Sequence, residues 1–120
     1  MSTITLAKSR CVNATCPSVH VHEDSGSGYV VGVVTEIAPQ GARATEDEAI
    51  VVLPADVTAT AAAARPLPGL VPFASWPGVL IDQESGVGYV VGLRALAPPV
   101  GVAAGPGEAI VAVPRVFGKA

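Results

Sequence analysis

Cys11, Cys16, His20 and His22 are the residues whose types and spacing come nearest to a metal site. His20 and His22 sit two apart in an alternating stretch, so they share one face of a strand and can reach one ion. A Cys2His2 set suits zinc, which takes thiolate and imidazole ligands in a tetrahedron. The spacing is not that of a zinc finger. Sixty residues downstream, the positions matching Cys16, His20 and His22 hold Trp76, Leu80 and Asp82. A scaffold that recurs without three of the ligands does not need a metal to fold. The expectation is no metal and no cofactor: free thiols in a reducing compartment and surface histidines. A Cys–His nucleophile would also need a third group to orient the imidazole and a pocket for substrate. Neither is readable, so no catalytic residue is assigned and the chain is expected not to be an enzyme.

Two further polar pairs are Ser25 with Ser85 and Glu48 with Glu108. They would form a paired ligand site across a twofold axis if functional. The expected role is humbler: turn hydrogen bonds for the serines and solvation for the glutamates. Ser25-Gly26-Ser27-Gly28 is not a phosphate cradle, because such loops run into a helix N-terminus and this one runs into a valine-rich strand. Tyr29 and Tyr89 have faces that could stack on a ligand, but half-buried packing is the commoner use of such residues.

These pairs belong to an internal repeat. With residues 16–57 laid over 76–117, 17 of the 42 positions are identical without a gap. The clearest blocks are Ser25-Gly26-Ser27-Gly28-Tyr29-Val30-Val31-Gly32 against Ser85-Gly86-Val87-Gly88-Tyr89-Val90-Val91-Gly92, and Glu48-Ala49-Ile50-Val51 against Glu108-Ala109-Ile110-Val111. Glycines and prolines at equal places imply equal backbone demands. The organisation expected is one domain of two repeats, 1–57 and 76–120, joined by a linker at 58–75.

Within a unit, Val19 and Val21 alternate with His20 and His22, a gly-rich turn follows, and Tyr29 to Glu36 reads as a second strand. Odd positions are expected to face the core. Arg94 in place of Val34 suggests that the even face of the second strand sees water. A third strand, Glu48 to Leu53, ends at Pro54, as Glu108 to Val113 ends at Pro114. Thr3 to Ala7 adds an edge strand, and Asp56 to Arg65 reads as a short Ala-rich helix. Three strands alone have little core. The fold expected is all-β: a pseudo-twofold small sandwich or barrel built from two tandem three-stranded units.

Half of the residues are hydrophobic and 14% are charged, which fits a packed domain. With seven basic and ten acidic residues and no basic run, direct nucleic-acid binding is not expected. Met1 to Arg10 holds no apolar signal core, and the apolar runs are too short for a membrane helix. A soluble, cytoplasmic protein is expected.

The order of signals resembles small actinobacterial proteins of unknown function that are encoded beside helix-turn-helix regulators. The resemblance rests on Cys16-Pro17-Ser18-Val19, Tyr29-Val30-Val31-Gly32 and Glu48 to Pro54 in the first unit. In the second it rests on Pro77-Gly78-Val79, Tyr89-Val90-Val91-Gly92 and Glu108 to Pro114. It implies an accessory protein that binds such a regulator and has no catalytic residues. Two units in one chain depart from the single-unit pattern, which leaves the stoichiometry open.

The leading expectation is a non-enzymatic regulatory or protein-interaction module, as monomer or homodimer, that uses the even strand faces at Val30, Val34, Val90 and Leu96. The rival expectations are a swapped-hairpin-like DNA-binding β barrel, a self-assembling structural protein, and a small-molecule binder at the repeat interface.

Overall fold

The computed structural model describes residues 3–9, 17–36, 43–65, 67–99 and 101–117. Seven strands account for the alternating and valine-rich segments: β1 (Thr3–Lys8), β2 (Ser18–His22), β3 (Ser27–Thr35), β4 (Glu48–Leu53), β5 (Val79–Ile81), β6 (Gly88–Arg94) and β7 (Glu108–Val113). One helix, α1 (Ala55–Ala63), follows Pro54, and a 3-10 turn covers Phe73–Ser75. Pro54 closes β4 because it lacks an N–H for the ladder. It also opens α1, where the first N–H groups have no intrahelical partner. No helix among the described residues is long and apolar enough to cross a membrane.

All pairing is antiparallel within one sheet. The sheet closes on itself: β3 pairs with β4, β4 with β6, β6 with β7, and β7 with β3. Such a circuit is a small barrel. β2 and β1 extend outward from β3, and β5 extends outward from β6.

The third strands change sides. β4 pairs over six positions with β6 but over three with β3, and β7 pairs over six with β3 but over two with β6. A shift of sixty residues relates the ladders. Gly28↔Val113 corresponds to Gly88↔Leu53, and Val33↔Glu108 to Leu93↔Glu48. Val33↔Val52 corresponds likewise to Leu93↔Ala112.

Closure requires the backbones to come very close where β3 and β6 change partners. A Cβ on Gly32 would lie 2.6 Å from the Val52 carbonyl oxygen, and one on Gly92 would lie 2.8 Å from that of Ala112. Only glycine fits at these crossings.

Val30, Val51, Val90 and Val111 are fully buried and form the centre of the core with Val19, Val21, Leu53 and Val113. Burying one such valine stabilises the fold by roughly 1.5–3 kcal/mol relative to leaving it exposed. This overturns the expected parity of β3 and β6, because Val30 and Val90 face the core and present no contact surface. The turn at Glu23–Gly26 sets the register Val19↔Val30, so odd residues of β2 share a face with even residues of β3. Leu70 and Phe73 of the segment read as a linker, and Trp76 at the start of the second repeat, belong to the core. Leu70, Phe73 and Trp76 are all buried, and Phe73 meets Trp76 edge to face at 5.0 Å. The Trp76 indole N–H donates to the Val71 carbonyl at 2.8 Å, which satisfies its one polar atom.

Candidate functional site

His20 lies in the middle of β2, between Thr5 of β1 and Tyr29 of β3 in the sheet register. It is 5% exposed, so it is not the surface histidine expected. Its Nε2 lies 2.8 Å from Ser18 Oγ and its Nδ1 lies 3.0 Å from Thr5 Oγ1. Hydroxyls both donate and accept, so either imidazole tautomer is satisfied. Burial pushes the His20 pKa below 6.5, and the positive charge of Lys8 adds to the shift. A serine with an imidazole at this distance has the geometry of an activated nucleophile. Ser18 is only 4% exposed, however, and neither residue lines any of the three surface clefts described below. The chain of hydrogen bonds through Thr5, His20 and Ser18 ties β1 to β2.

His22 shares a strand face with His20 but has its own partner, with Nδ1 3.0 Å from Ser25 Oγ. Its counterpart Asp82 does the same work: Ser85 Oγ donates to the carboxylate at 2.9 Å. In both turns the serine hydroxyl then accepts from the backbone two residues on, at Ser27 and Val87. Imidazole and carboxylate are interchangeable here because each only has to accept a hydrogen bond in an exposed turn. Cys11 and Cys16 lie outside the described residues. Among the described residues, no group of three His, Cys, Asp or Glu is placed to hold a metal.

Glu48 and Glu108 are half-exposed, and each also makes a matching hydrogen bond to its own turn. Glu48 Oε1 accepts from the Thr45 N–H at 3.0 Å, and Glu108 Oε1 accepts from the Gly105 N–H at 2.9 Å. Each glutamate N–H in turn donates to the carbonyl of that same residue at 3.1 Å. The recurring polar residues are therefore turn locks that start β4 and β7.

These locks sit at one end of the barrel, where β3 and β6 finish and β4 and β7 begin. That end carries the large apolar side chains left in water. Val33 is 52% exposed, Leu93 53%, Val34 37% and Leu96 96%. Val34 and Leu96 were expected to be exposed. Val33 and Leu93 were missed, because the assumed parity put them in the core. Val33 and Leu93 hold equivalent places, each beside the glutamate of the opposite half.

Two open clefts flank this end. One, of about 400 Å3, is lined by Val34, Arg43, Glu48, Ile50 and Arg94. The other, of about 470 Å3, is lined by Arg43, Glu48, Val91, Leu93 and Ala112. Arg43 and Glu48 border both, so the apolar patch carries charges of both signs at its rim. A third, smaller cleft lies elsewhere, beside Glu23, Leu67 and Phe117. Tyr29 and Tyr89 are half-buried and line none of the three.

No known protein family matches this chain, and no characterised protein or solved structure is significantly similar to it.

Proposed function

We propose that this protein is a non-enzymatic protein-interaction module and that its partner is a helix-turn-helix transcription regulator. The observation that carries the first part is the apolar end of the barrel. Among the described residues, the large hydrophobic side chains that are exposed are Val33, Val34, Leu93 and Leu96, and they lie beside Arg43, Arg94 and Glu48. Apolar side chains rimmed by charges are the usual make-up of a protein contact surface. The resemblance of Cys16-Pro17-Ser18-Val19, Tyr29-Val30-Val31-Gly32 and their second-half counterparts to regulator-linked proteins supports the choice of partner. We also propose that the two halves arose by duplication, which the shared residues and the equal registers support. The test is affinity purification of the tagged protein from lysate of its source, read by mass spectrometry. Recovery of one stoichiometric helix-turn-helix protein supports the reading, and recovery of the bait alone counts against it.

The exchange of β4 and β7 between the halves favours a second reading, a swapped-hairpin-like DNA-binding barrel. The balance of seven basic against ten acidic residues works against it. A gel shift at low salt with random-sequence duplex distinguishes the two.

A further inference from the structure

We propose that the outer edge of β5 receives an extended segment of another protein, which adds to the sheet antiparallel to β5. This rests on the interaction-module reading only in taking the partner to be a protein. It concerns different residues, the outer edge of β5 beside the first half of β6, although the cleft at Leu93 also reaches Pro77 and Gly78 just before β5.

The chain supplies its own comparison. β2 and β5 hold equivalent places, each paired to the long strand that follows it, with Val19↔Val30 matching Val79↔Val90. β1 covers the outer edge of β2 through Ile4↔Val21 and Ala7↔Val19. β5 is the end of the sheet, and among the described residues no strand covers its outer edge. Sixty residues beyond β1, Ala63 is the last residue of α1, and Ala64, Arg65, Leu67 and Pro68 belong to no strand. The difference shows in burial. Ser18, Val19, His20 and Val21 are buried, whereas Val79, Leu80 and Ile81 are all half-exposed.

The backbone groups of β5 can be accounted for one by one. Val91 N–H donates to the Gly78 carbonyl and Asp82 N–H to the Val87 carbonyl, both at 2.9 Å. Alternate residues of an antiparallel strand face the same neighbour. Gly78, Leu80 and Asp82 therefore serve β6, and Val79 and Ile81 point outward. Val79 N–H bonds the Trp76 carbonyl at 3.2 Å. This leaves the Val79 carbonyl and both the N–H and the carbonyl of Ile81 aimed at the open edge. The equivalent residues, Val19 and Val21, are those that β1 covers.

The occupant follows from this geometry. It is extended, it offers backbone groups to Ile81 and Val79, and it carries apolar residues opposite them, as Ile4 and Ala7 do on β2. Asp82 and Glu84 stand at one end of the edge. An antiparallel strand brings its N-terminal end there, as Thr3 meets His22. A lysine or arginine at the N-terminal end of the segment complements these carboxylates. β1 of a second copy fits poorly: it is engaged on its own β2, and in this register its Lys8 would fall at the end away from Asp82. Strand addition of this kind draws affinity from main-chain bonds and selectivity from alternate side chains.

The test is an NMR titration of the labelled full-length protein with a capped hexapeptide, Lys-Thr-Ile-Thr-Leu-Ala, which places a lysine before the Thr3–Ala7 sequence. The result expected is a saturable shift and slowed hydrogen exchange at the Ile81 amide, with Leu80 exchange unchanged. A peptide with glutamate in place of the lysine should bind several-fold more weakly. Ile81→Pro, which removes the outward N–H, should abolish binding, and Ile81→Lys should do the same if the proline variant does not fold. No saturable change at Ile81 at millimolar peptide overturns the proposal. So do shifts confined to β1 and β2, or an Ile81 amide already protected in a dimer without peptide. The titration reports on the β5 edge whether or not the exposed patch recruits a regulator, so the two ideas fail separately.

Discussion

Trp76 lies over Gly28 so closely that a Cβ on the glycine would sit 2.4 Å from the indole ring. The contact joins the start of the second repeat to the first strand of the barrel circuit. It explains why position 28 is glycine without any appeal to backbone conformation. Gly28→Ala should therefore cost about 1–3 kcal/mol through overpacking. A urea denaturation series with tryptophan fluorescence checks this, and the alanine variant should shift the midpoint and alter the emission of the native state.

The exchange of third strands leads to a second expectation. Each half on its own lacks the strand that pairs its long strand over six positions. Fragments of residues 1–66 and 67–120 should each be unfolded alone and should recover β structure when mixed. Circular dichroism of the separate and mixed fragments is the check. A fragment that folds alone would show that the exchange is not required.

His20 leads to a pH dependence. Its folded-state pKa lies below the ordinary 6.5 because burial and Lys8 disfavour the imidazolium. As pH falls below 6.5 the unfolded chain takes up a proton at this position and the folded chain does not, so this contribution to stability is lost. The loss ends once pH passes below the folded pKa. At neutral pH, His20→Gln should be destabilised by about 1–3 kcal/mol through loss of its buried bonds to Ser18 and Thr5. The gap between it and the wild type should narrow as pH drops below 6.5. Urea midpoints measured at pH 7.5 and 5.5 test this.

The strands themselves could be read from the sequence. β2, β3, β4, β6 and β7 all fall where alternation and valine content place them, and α1 falls where alanine succeeds Pro54. Strand parity could not be read, because it depends on how many residues the turn uses. The turn from Glu23 to Gly26 brings His22 opposite Ser27, which sets Val30 against Val19. That register and its equivalent, Val79↔Val90, put Val30 and Val90 in the core and leave Val33 and Leu93 on the opposite parity. The exchange could not be read either. Val30-Val31-Gly32 and Val90-Val91-Gly92 are identical, so nothing local tells β4 which of them to pair with. The prolines of the linker suggest a spacer, whereas its Leu70 and Phe73, with Trp76 just after it, carry the apolar signal of a segment that packs on the core. Of the candidate site, Val34 and Leu96 were legible. The turn-locking role of Glu48 and Glu108 became visible only with Thr45 and Gly105 in place.

The account's central claim is that the apolar end of the barrel is a protein contact surface. The most direct test is affinity purification run side by side with the wild type and with a Leu93→Ser, Leu96→Ser double variant. Both positions are more than half exposed, so the variant's stability should stay within about 1 kcal/mol of the wild type. The account expects one stoichiometric partner with the wild type and its loss with the folded variant. Undiminished recovery of that partner by the variant would contradict it.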